Sequence, residues 1–214
     1  MFYRFACLVV LGILRLFTRC RVEGLENVPA GGPLLLVCNH LNMVDPPLLG
    51  AIFPRRIVFM AKDESFHHAF MGPLVKWYGA FPVRRGQPDR QALRTAESVL
   101  RGDGVVGMFP EGHRSKTGKM QRAFPGASLL AIMAAAPVLP VALEGTDQLK
   151  SPFALLARPT ITVRIGKPFQ LQRGEDRQKV DLATLTDHMM VRVAALLPEE
   201  YRGYYSNAFQ GERK

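Results

Sequence analysis

The chain has 214 residues, of which 48% are hydrophobic, so it is long enough for one domain with a full core and too apolar for a disordered chain. Its 28 Lys and Arg against 18 Asp and Glu give a formal net charge of +10, which favours an anionic partner: nucleic acid, a phosphorylated metabolite or an anionic lipid surface. The basic residues are scattered, without zinc-finger spacing or an RNP-type motif, so nucleic acid is not the predicted partner.

The first predicted element is an apolar helix at the N-terminus. Its uninterrupted apolar run, Phe5–Leu14, would rise about 15 Å, half of a hydrocarbon core of about 30 Å. Arg15 then interrupts the run, and further arginines follow that can contact anionic head groups. We therefore predict that residues 1–20 form an interfacial helix that anchors the chain to a membrane, and that residues 21–214 form a single domain. The alternative is a helix packed in the core of the protein.

From residue 21 onward, predicted strands alternate with predicted helices. After a short strand and turn within 22–32, strands are predicted at 33–39, 55–62, 80–85, 105–110, 137–145 and 160–169. Helices are predicted at 46–53, 64–79, 89–104, 123–136 and 181–197. Alternation of this kind indicates an α/β layered fold with a mostly parallel central sheet flanked by helices.

Several residues punctuate these elements. Asp45 precedes two prolines, which is typical of a helix N-cap, and Gly72-Pro73 is expected to break or kink the helix that contains it. Pro140 lies inside an apolar strand, which predicts an edge position or a bulge.

In parallel sheets, functional sites gather where strands end, and this draws attention to residues 39–45. His40 follows a buried strand and Asp45 lies five residues further on. A carboxylate bonded to one ring nitrogen fixes the tautomer of an imidazole, and the other nitrogen can then take a proton from a hydroxyl. A histidine satisfied within a turn remains the alternative. Cys38, two residues before His40, is interpreted as a small buried residue rather than a nucleophile.

Two more strand ends carry charged residues. In "FPEGHRS", Gly112 allows close approach of the backbone to a ligand, Arg114 offers donors suited to phosphate, and Glu111 could orient an arginine or a hydroxyl. In "GAFPVRR", Arg84 and Arg85 could join Arg114 in a pocket for a dianion. A polar turn and a solvated charge pair are the alternatives. No Cys/His spacing typical of a metal site occurs.

These stretches, taken together, resemble the sequence blocks of the glycerolipid acyltransferases. Asn39-His40 with Asp45 resembles the N-H-x-x-x-x-D box, and "GAFPVRR", "FPEGHRS" and "VLPVAL" resemble the second, third and fourth blocks, in the same order. The blocks cover residues 39–143, about half of the chain. "FMAKDESF", which contains Lys62, resembles a lysine-bearing stretch between the first two blocks. The best agreement is with the 1-acyl-glycerol-3-phosphate acyltransferase branch.

The resemblance implies a reaction and roles for residues. The expected reaction moves an acyl group from acyl-CoA or acyl carrier protein to lysophosphatidic acid, giving phosphatidic acid, without a cofactor. His40 and Asp45 are the expected catalytic pair. The expected substrate-binding residues are Lys62, Arg84, Glu111, Gly112 and Arg114. The expected location is the cytoplasmic face of the cell membrane, on an anionic surface.

Two departures from the family pattern bear on the acceptor: Asn42 stands where serine is frequent, and His113 where threonine is usual. Three alternatives stay open. The chain could acylate another lysolipid or glycerol 3-phosphate, it could hydrolyse a thioester with the same His-Asp pair, or it could bind lipid or nucleic acid without catalysis.

Overall fold

The computed structural model describes residues 2–69, 71–84, 89–171 and 181–209. The strands in these residues are β1 (Arg19–Glu23), β2 (Leu34–Cys38), β3 (Ile57–Lys62), β4 (Phe81–Val83), β5 (Val105–Met108), β6 (Val138–Glu144) and β7 (Thr160–Ile165). The α-helices are α1 (Phe2–Phe17), α2 (Asp45–Ile52), α3 (Asp63–His67), α4 (Met71–Trp77), α5 (Arg90–Arg101), α6 (Gly126–Met133) and α7 (Leu182–Ala195). Short 3₁₀ helices occupy Leu25–Asn27, Thr146–Gln148, Pro152–Ala157, Glu199–Tyr201 and Gly203–Phe209.

The strands form one sheet in the order β1-β7-β6-β2-β5-β3-β4. Strands β6, β2, β5, β3 and β4 run parallel to one another, while β7 is antiparallel to β6 and β1 is parallel to β7. The predicted α/β fold with a mostly parallel sheet is confirmed. Because five neighbouring strands share one direction, their carboxyl ends meet at one edge of the sheet, which we call the carboxyl edge.

Helices cover both faces of the sheet. Strand β2 is buried along its whole length, and its alternate side chains serve two cores: Leu35 and Val37 pack with α5, α6 and α7, while Leu34 and Leu36 pack with α1 and α2. A strand buried on both faces explains why β2 reads as a continuous apolar run. Helix α5 begins as its sequence predicts, because the Asp89 carboxylate caps the Ala92 amide at 3.0 Å.

Two predictions about local structure are wrong. Asp45 is the first residue of α2 rather than its N-cap, because its carboxylate accepts hydrogen bonds from the loop that precedes the helix. The segment 64–79 contains two helices, α3 and α4, but Gly72-Pro73 lies in the first turn of α4, where the ring of proline is tolerated, instead of at the break.

The prediction of a bulge at Pro140 is confirmed, although β6 is an interior strand rather than an edge. Val138 pairs with Phe169, whereas Val141 pairs with Ile165, so the chain between Ile165 and Phe169 carries one extra residue. This interruption also ends β7 at Ile165, earlier than its predicted end at residue 169. A strand without an N–H at one position is accommodated where its partner strand is irregular.

Helix α1 is covered by the rest of the domain on only one side. Cys7 and Leu14 are buried, and the Cys7 thiol and the Tyr3 hydroxyl both donate to the Gly50 carbonyl of α2. The opposite side exposes several large apolar residues: Phe5, Leu8, Val9, Ile13 and Leu16. Within the described residues, no helix combines the length and apolarity that crossing a bilayer requires.

Candidate active site

The carboxyl edge brings the predicted site residues to one side of the sheet. His40 lies two residues beyond β2, Glu111 three residues beyond β5, Lys62 ends β3, and Arg84 follows β4 directly. Neighbouring strands are about 4.8 Å apart, so these positions follow one another along the edge at distances that long side chains can bridge. Arg85, predicted to accompany Arg84, lies outside the described residues.

His40 and Asp45 form a buried hydrogen-bonded pair. Nδ1 of His40 is 2.8 Å from Oδ2 of Asp45. The same oxygen accepts the Leu41 and Asn42 amides, each at 2.7 Å, so the carboxylate is held by its own loop and by the imidazole together. With Nδ1–H donating to a carboxylate, the ring is fixed in the tautomer whose Nε2 carries a lone pair. The predicted convergence of the two side chains is confirmed.

The unbonded nitrogen of His40 faces outward. Among the described residues Nε2 has no hydrogen-bond partner, and it is not one of the buried unpaired atoms. One face of the ring stacks on Phe109, with centroids 4.1 Å apart and planes 23° apart, and Phe59 stacks behind Phe109. The stack sets the plane of the imidazole, and an aromatic face attracts the cation that forms when the ring takes up a proton. Phe109 had no predicted role, although an aromatic residue at the end of β5 was visible in the sequence.

Two asparagines lock the loop that carries His40. The Asn39 side chain donates to the Leu143 carbonyl at 2.9 Å and accepts the Leu143 amide at 2.8 Å, which ties the end of β2 to β6. Asn42 donates to the Thr146 and Leu149 carbonyls, both at 3.0 Å. A serine at this position has one donor and cannot make both bonds. The departure at Asn42 therefore strengthens the link between the His40 loop and the segment that follows β6.

Glu111 lies in the interior of the protein and not at the surface of the candidate site. The residue is fully buried, and its two oxygens accept the backbone amides of His40 at 3.1 Å and Gln121 at 2.9 Å. The Ser115 amide in turn donates to the His40 carbonyl at 2.8 Å, so the 109–121 loop holds the His40 backbone on both sides. In this arrangement Glu111 positions the backbone of His40, and its predicted role in substrate binding stays a prediction.

The carboxyl group of Glu111 has a raised pKa. Burial raises the pKa of its carboxyl from 4.5 to about 7, and the Asp45 carboxylate adds to this, while the hydrogen bonds from Gln121 and His40 act in the opposite direction. Between these two values the folded chain holds a proton that the unfolded chain releases. The unfolding free energy therefore falls as the pH rises through this range, by up to about 3 kcal/mol from this group.

Glu111→Gln should remove this pH dependence. Thermal or urea unfolding measured from about pH 5 to about pH 8 should show the wild type losing stability relative to the variant as the pH rises, because glutamine does not titrate. A glutamine side chain has only one oxygen, so it loses the hydrogen bond from one of the two backbone amides. This loss lowers the unfolding free energy by the same amount at every pH and does not change the slope of its pH dependence. Parallel curves for the two proteins would show that Glu111 does not titrate in this range.

His113 and Arg114, in the same "FPEGHRS" stretch, lie at the surface. Gly112 adopts a left-handed φ of +74°, and a Cβ there would come within 3.0 Å of the Phe124 ring, so both conformation and space favour glycine. Arg114 is exposed next to it. The ring of His113 is hydrogen-bonded to the Gln121 side chain at 2.9 Å, which connects this departure from the family pattern to the residue that also binds Glu111.

The other predicted phosphate ligands are exposed basic residues at the far end of the edge. Lys62 forms an ion pair with Glu64 at 3.0 Å, so an incoming phosphate would have to compete with a carboxylate. The Arg84 amide donates to the Asp89 carboxylate at 2.9 Å, and this bond, with the one from Ala92, lowers the pKa of Asp89. The hydrogen bond to Asp89 fixes the backbone at Arg84 beside the carboxyl edge.

Cys38 is unsuited to be a nucleophile. It is fully buried, and burial, reinforced by the Asp45 and Glu111 carboxylates, raises the pKa of its thiol well above the usual value. In the part of the chain that the structure describes, no group of three His, Cys, Asp or Glu residues could hold a metal ion. The arrangement as a whole offers an oriented imidazole base at the edge of a sheet with basic side chains further along it.

Comparison with known proteins places this geometry in a family. The family model described as Acyltransferase matches residues 19–144. The chain is 32% identical over 197 residues to the 1-acyl-sn-glycerol-3-phosphate acyltransferase of Bacillus subtilis, covering 91% of this chain and 96% of that protein. It is also 32% identical over 149 residues to the lyso-ornithine lipid O-acyltransferase of Pseudomonas aeruginosa, covering 66% of this chain and 55% of that one.

A solved structure shares the fold. The crystal structure of the 1-acyl-sn-glycerophosphate (LPA) acyltransferase PlsC from Thermotoga maritima superimposes with a TM-score of 0.68, at 24% sequence identity. The match covers 91% of this chain and 78% of that protein. At this level of identity the likeness is evidence for the fold.

Proposed function

The chain belongs to the acyltransferase family, and from that premise we propose that it acylates the free hydroxyl of 1-acyl-glycerol-3-phosphate, with an acyl thioester as donor, to give phosphatidic acid. The observation that carries the proposal is the 2.8 Å bond between Nδ1 of His40 and Oδ2 of Asp45, which leaves Nε2 open at the carboxyl edge. The oriented base supports proton abstraction from an alcohol, and the relatives named for this reaction supply the substrate.

The reaction is a direct acyl transfer. Nε2 of His40 takes the proton of the lysolipid hydroxyl as its oxygen attacks the thioester carbonyl, and the Asp45 carboxylate stabilises the imidazolium that forms. The tetrahedral intermediate then collapses, the carbon–sulfur bond breaks, and the imidazolium returns its proton to the departing thiolate. The products are the ester and a free thiol, of coenzyme A or of acyl carrier protein, and no covalent acyl-enzyme or cofactor takes part.

The phosphate of the acceptor is held by basic residues along the carboxyl edge. Arg114 and Arg84 are exposed there, and the paired N–H donors of their guanidinium groups match the oxygens of a phosphate. Lys62 can also bind the phosphate if its ion pair with Glu64 is broken. Gly112 gives the backbone its close approach beside Arg114. Glu111 acts through His40, as its buried contacts indicate.

The membrane supplies the acceptor, and α1 is the element that reaches it. One side of α1 packs on α2, and the other exposes apolar side chains, with Arg15 and Arg19 exposed at its carboxyl end. An apolar face with basic flanks suits an anionic lipid surface. The helix thus has both roles that the sequence left open: it belongs to the domain and it lies on the cytoplasmic face of the membrane, where acyl thioesters are available.

The exposed side of α1 can be tested without removing the helix. The triple variant Phe5→Ser, Leu8→Ser, Leu16→Ser should keep its fold, because these side chains are 64–67% exposed, and should lose most of its flotation with anionic vesicles. Deleting residues 1–20 is a poorer test, since it also takes Cys7 and Leu14 from the core. Unchanged flotation of the triple variant would assign α1 to the core alone.

A second acceptor is suggested by the relative named lyso-ornithine lipid O-acyltransferase, which has the same 32% identity to this chain as the first relative, over 149 residues instead of 197. Purified protein should be given a labelled acyl thioester with lysophosphatidic acid, lyso-ornithine lipid and glycerol 3-phosphate in turn, and the product identified by mass. We expect phosphatidic acid from the first. Acylation of lyso-ornithine lipid alone would replace the proposed acceptor.

A further inference from the structure

The most exposed large apolar side chains of the described residues lie outside α1, in the 3₁₀ helix Pro152–Ala157. Phe153 is 78% exposed and Leu156 is 75% exposed. A 3₁₀ helix has three residues per turn, so residues three apart project from the same side. Phe153 and Leu156 therefore form one apolar projection instead of two scattered residues.

This projection is continuous with α1. The 152–157 segment contacts α1, and just beyond it the Pro159 carbonyl accepts the Arg19 amide at 3.0 Å, immediately after the helix ends. Leu16, in the last turn of α1, is 64% exposed. The apolar surface of α1 thus extends past its own carboxyl end onto a second element.

The segment also lies beside the candidate active site. It follows the 3₁₀ helix Thr146–Gln148, and the Asn42 side chain in the His40 loop donates to the carbonyls of Thr146 and Leu149. The apolar projection is therefore attached, through a few residues of backbone, to the loop that carries the candidate base. A surface here would meet the membrane at the end of the sheet where a lipid acceptor has to enter.

Charge indicates which partner covers this surface. Lys150 and Arg158 are exposed on either side of the segment, and Arg15 and Arg19 are exposed at the neighbouring end of α1. An apolar tip surrounded by cations matches the border between acyl chains and anionic head groups. A second copy of this chain, which carries a net charge of +10, would bring like charges together at the same place.

We propose that the 152–157 segment is a second membrane contact, which inserts Phe153 and Leu156 into an anionic bilayer beside the active site. The inference rests on the proposed function in one respect only, that the acceptor is a membrane lipid. With α1 as the first contact, the extended apolar surface formed by α1 and the 152–157 segment fixes the orientation of the sheet, so that the carboxyl edge faces the bilayer.

The test compares the double variant Phe153→Ser, Leu156→Ser with the matched control Met133→Ser, Tyr204→Ser. The control residues are also exposed, at 40% and 52%, but they lie on α6 and on the last 3₁₀ helix, on the other face of the sheet. Flotation is measured with vesicles of phosphatidylcholine and phosphatidylglycerol. We expect the affinity of the double variant for these vesicles to be at least about tenfold lower. A tenfold change in affinity corresponds to about 1.4 kcal/mol, and burial of one such apolar side chain contributes about as much. The control should bind as the wild type does.

Two further measurements separate the possible failures. Turnover of a short-chain lysophosphatidic acid below its critical micelle concentration should be the same in the double variant and the wild type, because no membrane is involved. If the wild type forms no phosphatidic acid there, the proposed function fails, while the flotation result still stands by itself. Undiminished flotation of the double variant would overturn the membrane contact. It would also be overturned if, in the absence of vesicles, the wild type were a dimer and the double variant a monomer.

Discussion

His40→Ala should lower the turnover number by about 10²–10⁴-fold, the usual contribution of a positioned general base. The variant removes the nitrogen that accepts the hydroxyl proton, and no other His side chain is bonded to Asp45 within the described residues. Initial rates of thiol release from acyl-CoA with saturating lysophosphatidic acid measure the loss. The Michaelis constant for the acceptor should change little, because the phosphate is held by residues elsewhere on the carboxyl edge.

The fold should survive this substitution. The backbone of His40 keeps its bonds to Glu111 and from Ser115, since neither involves the imidazole. Removing the ring from its place against Phe109 costs some packing, so the melting temperature should fall without loss of cooperativity. A folded His40→Ala protein with wild-type turnover would remove His40 from the mechanism.

Asp45→Asn should lower the turnover number by about 10²-fold or more, with His40 still in place. The asparagine oxygen can occupy the position of Oδ2 and accept the three hydrogen bonds that hold the loop and fix the tautomer. What the variant loses is the negative charge that stabilises the imidazolium. Steady-state rates of phosphatidic acid formation report this loss separately from the geometry of the loop.

The structure also predicts a stability cost for this variant. Oδ1 of Asp45 is buried and has no partner among the described residues, so an amide nitrogen there would be unsatisfied, at about 1–3 kcal/mol. Circular dichroism should show a lower melting temperature and an unchanged spectrum. Wild-type rates in a folded Asp45→Asn protein would mean that the charge of Asp45 does not assist proton transfer.

The sequence predicted the fold well where the signal is local. The apolar run that becomes β2 is buried on both faces, and the helix predicted at 89–104 forms as α5, which buries Ala92, Ala96 and Leu100. His40 and Asp45 are five residues apart, so one loop brings them together, and a pattern of that length can be read from sequence. Pro140 was also informative, because its missing N–H predicted an edge position or a bulge, and the structure has the bulge.

What the sequence did not reveal depends on contacts between distant segments. The resemblance implied that Glu111 binds substrate, and nothing local in the sequence shows that its oxygens accept the amides of His40 and Gln121. Asn42 was seen only as a departure from a pattern, whereas its bonds reach residues more than a hundred positions away. The exposure of the apolar Phe153 side chain likewise depends on where the 152–157 segment is held. The hydrophobicity of phenylalanine alone would predict that it is buried.

The most direct test of the mechanism is the stoichiometry of products from purified wild type and His40→Gln, each supplied with labelled acyl-CoA and lysophosphatidic acid. Thiol release and lipid products are followed in the same reaction, the latter by mass spectrometry. The proposed mechanism requires one phosphatidic acid for each thiol released by the wild type, and initial rates of both products that are about 10²–10⁴-fold lower with His40→Gln. Free fatty acid in place of phosphatidic acid, or equal initial rates from both proteins, would contradict it.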